Sequence, residues 1–223
     1  MSYRGFVLLL CCCAVGAAQS QQKMEITLER GDVPGWKAVP SNLVFQQNDR
    51  LRFRIRTNFD GYLYVMNYGT SGKYETLFPR AETGTDNLLK AGADYTVPAT
   101  KAAFRVGGPA GYDVVYWILS PTPLGGSAAG AHPILPPPPP KTPDPNMTPR
   151  CDDTLFRSRS LCLDTSAGPR NVTAEEKLPD NLGDIPLTTS RDLVILNQQE
   201  HAVVSAPTPL TGPVVYEFRV AHK

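Results

Sequence analysis

Apolar and polar residues alternate along much of this chain with a period of two. In the stretch NDRLRFRIRTN, residues 48–58, Leu51, Phe53 and Ile55 fall on one side and Arg50, Arg52, Arg54 and Arg56 on the other. Such alternation predicts a strand with one face in a core and the other in solvent. MEITLER, residues 24–30, predicts an earlier strand. After the turn residues NFDG comes YLYVMNY, with Tyr62, Tyr64, Met66 and Tyr68 on one face and Leu63, Val65 and Asn67 on the other. Neither face is plainly polar, which predicts a central strand covered on both sides. The following GTSG is then a hairpin connection, and KYETLFP resumes a strand that Pro79 ends, because proline cannot donate to the ladder.

ADYTVP and AAFRV predict short strands, and the turn GGPAG at 107–111 leads into the long buried strand YDVVYWIL. The chain closes with RDLVILN, EHAVVSA and PVVYEFRVAH, in which Val214, Tyr216, Phe218 and Val220 alternate with Val215, Glu217, Arg219 and Ala221. TAEEKL, with Thr173 and Glu176 at capping-box spacing, allows at most one short helix. The expectation is an all-β antiparallel β-sandwich. Its last strands return to the sheet, making residues 21–223 one domain.

Composition changes this picture in two places. Residues 120–184 read as a long proline-rich surface excursion, with a linker between two domains as the alternative reading of the proline-rich stretch: Pro136 to Pro140 favour an extended polyproline conformation, and a compact loop between Cys151 and Cys162 follows. Residues 1–20 carry Arg4, an apolar run from Phe6 to Val15 and a small-residue end at Ala18-Gln19-Ser20, the pattern of a secretory signal peptide. That run is shorter than the about 20 residues a spanning helix needs, so no transmembrane helix is expected in the mature chain. The location implied is exported, periplasmic or extracellular. Cys11, Cys12 and Cys13 lack the Leu-small-small triplet that precedes a lipid-modified cysteine.

Loss of residues 1–20 leaves Cys151 and Cys162, which in an exported chain predict a disulfide. It also removes Arg4 from the 22 Lys and Arg, leaving 21 against 21 Asp and Glu. A formally neutral chain is not a nucleic-acid binder of the kind that works by neutralising phosphates.

The order DRLRFRIRTNFDGYLYVMNYGTSGKYETLFP, then KAGADYTVP, then GPAGYDVVYWILSPTP resembles a bacterial envelope family, domain of unknown function 4384. The resemblance rests on Arg50 to Arg56, Gly61 to Tyr64, Ser71 to Gly72, Leu77 to Pro79, Ala91 to Gly92 and Pro109 to Gly111, and spans about residues 43–123. It implies a β-rich exported or envelope-associated module. It brings no catalytic residues.

Candidate chemistry is sparse. His132, His201 and His222 are the only histidines, and no Gly-x-Ser-x-Gly elbow occurs. His201, at the start of a strand, is the most plausible base by place, while His222 sits beside a fraying end. The histidines and cysteines show no zinc-ligand spacing, and Asp152, Asp153 and Asp164 lack the regular spacing of a calcium loop, so neither metal nor cofactor is expected. Asn146 and Asn171 match glycosylation sequons.

Arg50, Arg52, Arg54 and Arg56, about 6.5 to 7 Å apart along one face, are the possible ligand surface; paired acids on neighbouring strands would reduce them to a solvated face. Tyr62, Tyr64 and Tyr68 read as core rather than as a sugar-stacking platform. The expected function is a non-enzymatic cell-envelope interaction or assembly module, with an envelope protein or cell-wall polymer as partner. Two alternatives stand beside it: a secreted hydrolase with a dispersed carboxylate site, and a structural subunit that self-assembles through its terminal strand, exposed at a sheet edge.

Overall fold

The computed structural model describes residues 21–124, 148–152, 161–172, 178, 182, 185, 190, 192–198 and 200–223. The signal-like segment 1–20, the polyproline run, Asn146 and the Thr173–Glu176 pair lie outside the described residues. Among the described residues no helix is long and apolar enough to cross a membrane.

Among the described residues, fourteen strands form two packed sheets, so the all-β sandwich expected from the alternation is the observed fold. The first sheet has the order β12 (Val194–Asn197), β13 (Ala202–Ala206), β1 (Gln22–Gly31), β4 (Arg50–Thr57) and β8 (Asp94–Val97). β2 (Trp36–Val39) adds to β1, and β9 (Phe104–Arg105) to β4. The second sheet has the order β11 (Gly168–Asn171), β14 (Val214–His222), β10 (Gly111–Ser120), β5 (Gly61–Tyr68) and β6 (Tyr74–Phe78). β3 (Val44–Phe45) joins β14, and β7 (Leu88–Leu89) joins β5.

The inner faces carry the apolar alternates. Met24, Ile26 and Leu28 of β1 and Leu51, Phe53 and Ile55 of β4 meet Leu63, Val65, Val115, Trp117, Tyr216 and Phe218 of the other sheet in one buried cluster. Phe53 is its hub, with edge-to-face contacts to Trp117 at 5.0 Å and Phe218 at 5.3 Å. Each such pair adds about 0.5–1.5 kcal/mol beyond its area burial.

A second buried cluster lies on the outer face of the second sheet. Tyr64, Met66, Tyr116, Ile118 and Val215 pack there against Val172, Leu178 and Leu182. This covering explains why β5 has no polar face. It also shows that the later part of the proline-rich segment is more than a surface excursion: it supplies β11 and the apolar side chains that seal this sheet.

Gly69 to Lys73 form the hairpin connection between β5 and β6, closed by the Gly69 N–H to Lys73 carbonyl bond at 2.8 Å, with Gly72 at φ 77°. Three findings depart from expectation. β14 lies between β10 on one side and β11 and β3 on the other, so the terminal strand offers no free edge for assembly; β12 is the outer strand of its sheet and exposes Val194 and Leu196. His222 is not at a fraying end: it is fully buried, paired with Gly111 and Phe45. Asn171 is an unsuitable glycan acceptor here, because its amide nitrogen donates to the Leu193 carbonyl at 2.8 Å.

Cys151 and Cys162 are disulfide-bonded. The bridged segment is tied to the sandwich by the Val44 N–H to Cys162 carbonyl bond and by Asp164, whose Oδ2 accepts Tyr112 Oη at 2.5 Å and Arg150 N at 2.7 Å.

Candidate functional site

The arginine alternation places Arg50, Arg52, Arg54 and Arg56 on the outer face of the first sheet, and pairing on both sides of β4 separates their fates. Arg52 lies opposite Glu29, and its Nε is 2.6 Å from Glu29 Oε2; Arg54 Nε is 3.5 Å from Glu29 Oε1. The Glu29 side chain is only 9% exposed, so this carboxylate is held against two guanidiniums largely out of water. Arg56 is opposite Glu25 on β1 and Asp94 on β8. Three of the four arginines therefore have an acid beside or opposite them, and for Arg52 and Arg54 it is an ion pair.

Arg50 does not. Its partner on β9 is Arg105, and neither has an ion-pair partner among the described residues. Like charges directly opposite on neighbouring strands repel. Beside them stands Trp36, half-buried, with the Arg52 guanidinium carbon 4.5 Å and that of Arg50 5.5 Å from its ring centroid. Gly31 makes this meeting possible, since a Cβ there would stand 3.1 Å from Arg50 Cβ and 3.5 Å from the indole. The result is a cationic corner made of Arg50, Arg105 and Trp36. Sequence alone does not single out Arg105 and Trp36. AAFRV and WKAV are too short for alternation to assign a face, although the acids of MEITLER can be matched to the arginines.

A cleft of about 310 Å³ opens between the sheets. Its walls include Leu51, Phe53 and Phe104 from the first sheet and Asn67, Glu75 and Asp113 from the second. Arg80 sits at its rim, with Nε 2.8 Å from Glu82 and Nη1 3.4 Å from Glu75. The hydrogen bond from Arg80, reinforced by its charge, holds the Glu82 carboxyl below the usual carboxylate range.

At the polar end of the interior, Asp113 Oδ1 accepts the Thr70 N–H at 2.8 Å and lies 3.5 Å from His222 Nε2, which is also 3.4 Å from Thr70 Oγ1. A hydroxyl, an imidazole and a carboxylate thus meet, but not as a relay. A triad uses the two ring nitrogens separately, one toward the nucleophile and one toward the acid. Here both neighbours share Nε2, Nδ1 has no partner among the described residues, and the ring is fully buried. The group is structural. His201 lies elsewhere, its carbonyl accepting Gln198 N–H in the turn before β13. Among the described residues no three His, Cys, Asp or Glu side chains gather into a metal-binding group.

Fold and surface together define a β-sandwich with a charged outer face and an interior cleft. Residues 44–123 match the model of the family described as Domain of unknown function (DUF4384), the stretch over which the sequence motifs resemble it. No curated protein and no solved structure matches the chain.

Proposed function

We propose that this chain is an exported, non-enzymatic module of the cell envelope, folded as one sandwich domain over residues 21–223, that binds an anionic wall polymer at Arg50, Arg105 and Trp36. The observation that carries the reading is the Arg50–Arg105 pair. Two arginines lie directly opposite each other on neighbouring strands without an acid, while Arg52 and Arg54 are ion-paired to Glu29 and Arg56 lies in register with Glu25 and Asp94. A bound carboxylate or phosphate relieves that repulsion and accepts paired N–H bonds from each fork. Trp36 offers an aromatic face to a saccharide ring in the same corner. Export is supported by the Cys151–Cys162 bridge, since such bonds persist in oxidising compartments.

The hydrolase alternative has weaker support. A general acid requires a carboxyl whose pKa is raised, whereas Glu82 at the cleft rim is moved down and Glu75 is engaged by the same arginine. The test is co-sedimentation of the tagged mature chain with purified wall sacculi. Retention of the native chain and its loss in Arg50→Ala/Arg105→Ala would support the proposal. Equal retention of both would refute it.

A further inference from the structure

The inter-sheet cleft is a second site, which adjoins the arginine corner at Arg105. Its floor continues the core: Leu51 and Phe53 from one sheet and Val115 and Val220 from the other reach it, with Phe104 at the side. On β5 the core-facing positions run Leu63, Val65, Asn67, so an amide replaces the next aliphatic side chain where the cleft begins. On β10 the inward series Trp117, Val115 ends in Asp113 in the same way.

The first of these substitutions leaves a buried acceptor without a donor, and the second a partly exposed carboxylate. Asn67 Oδ1 is buried with no hydrogen-bond partner among the described residues. Asp113 uses Oδ1 for Thr70 and His222, and its Oδ2 accepts no hydrogen bond among the described residues. The Asn67 amide and the Asp113 carboxylate end close together: Asn67 Nδ2, the amide's other atom, and Asp113 Oδ1 each stand 3.4 Å from the point a Cβ on Gly69 would occupy. Glu75, opposite Asn67 on β6, also stands at the mouth, but its carboxyl is held by Arg80 at 3.4 Å. A buried acceptor without a donor is costly, and a ligand rich in N–H groups relieves it.

We propose that this cleft binds a small primary amine with an apolar body. The ammonium donates to Asn67 Oδ1 and the Asp113 carboxylate, and the apolar part lies on Leu51, Phe53 and Phe104. The volume of about 310 Å³ falls at the lower end of the about 300–1,000 Å³ of small-molecule sites, which suits a metabolite-sized compound rather than a polymer. The cleft shares Arg105 with the arginine corner, but its polar end at Asn67 and Asp113 plays no part in the polymer-binding reading, so either can fail alone.

The test is a titration of the folded chain at pH 7 with 2-phenylethylamine, 2-phenylethanol and 3-phenylpropionate, followed by amide chemical shifts in NMR. The expected result is that the amine binds about tenfold or more tightly than the other two, the equivalent of about 1.4 kcal/mol, with shifts centred on Asn67, Asp113 and Phe104. Asn67→Leu, checked for an unchanged melting temperature, should remove that preference. Equal affinity for the three probes, tighter binding of the carboxylate, shifts centred outside the cleft, or a folded Asn67→Leu variant that keeps the preference would each overturn the proposal. If Asn67→Leu does not fold, the ranking of the three probes on the native chain decides.

Discussion

Asp164 shows how a single side chain anchors a loop with no regular structure. Its carboxylate accepts Tyr112 Oη at 2.5 Å, Arg150 N at 2.7 Å and Ser166 N at 2.8 Å. Burial pushes its pKa up, but the donated bonds from Tyr112 and the backbone outweigh that and hold it below the ordinary value. The folded value lies below the unfolded one, so its stabilisation is present above about pH 4 and is lost as pH falls through the folded pKa. Tyr112 is pushed up to about 12, by burial first and then by the bond to Asp164. Its contribution is therefore whole below about pH 10 and fades as pH rises toward 12. Asp164→Asn should cost about 1–3 kcal/mol at pH 7 and flatten the decline in melting temperature as pH falls from about 5 to about 2. A variant that keeps the native acid profile would contradict this role.

The histidines contrast at the same scale. His201→Gln should change stability by less than about 0.5 kcal/mol, because His201 is partly exposed and its bond to Gln198 is made by the backbone carbonyl. His222→Ala should cost about 1–3 kcal/mol through the buried partners it leaves, measured by urea denaturation.

At the scale of elements, β4 and β14 are legible because about eight to ten residues of alternation determine a face, and β10 because it is a long, mostly apolar run. β3 and β7 have two residues each, and β11 reads Gly-Pro-Arg-Asn; pairings with distant strands hold them in place, and a local pattern cannot contain those. The same limit hides half of the cationic corner. Arg50 is visible in a long alternation, while Arg105 depends on the pairing of β9 with β4. Tyr64 of β5 is core, as the two apolar faces of its strand imply: it is buried, and its hydroxyl accepts Leu124 N at 2.8 Å. Tyr64→Ala should cost about 3–5 kcal/mol in a denaturation measurement. The Cys151–Cys162 bridge closes a short loop, and its removal in the Cys151→Ser/Cys162→Ser pair should cost about 3 kcal/mol in the chain-entropy account. An unchanged melting temperature would contradict that role.

For the whole molecule, the two sheets divide the labour. The second sheet is covered on its inner face by the core and on its outer face by Val172, Leu178 and Leu182. The first sheet keeps an outer face of arginines, and its partners are arranged so that net positive charge gathers at one corner. Binding there should be strongly salt-dependent, since exposed charges are screened within about 10 Å at 0.1 M salt. The most direct measurement is calorimetric titration with polygalacturonate, with neutral dextran as control, at low and high salt. The account predicts that the native chain binds the polyanion and not dextran, that Arg50→Ala/Arg105→Ala weakens this about tenfold or more, and that Arg56→Ala leaves it nearly unchanged. Equal weakening by Arg56→Ala, or no loss in the double variant, would contradict it.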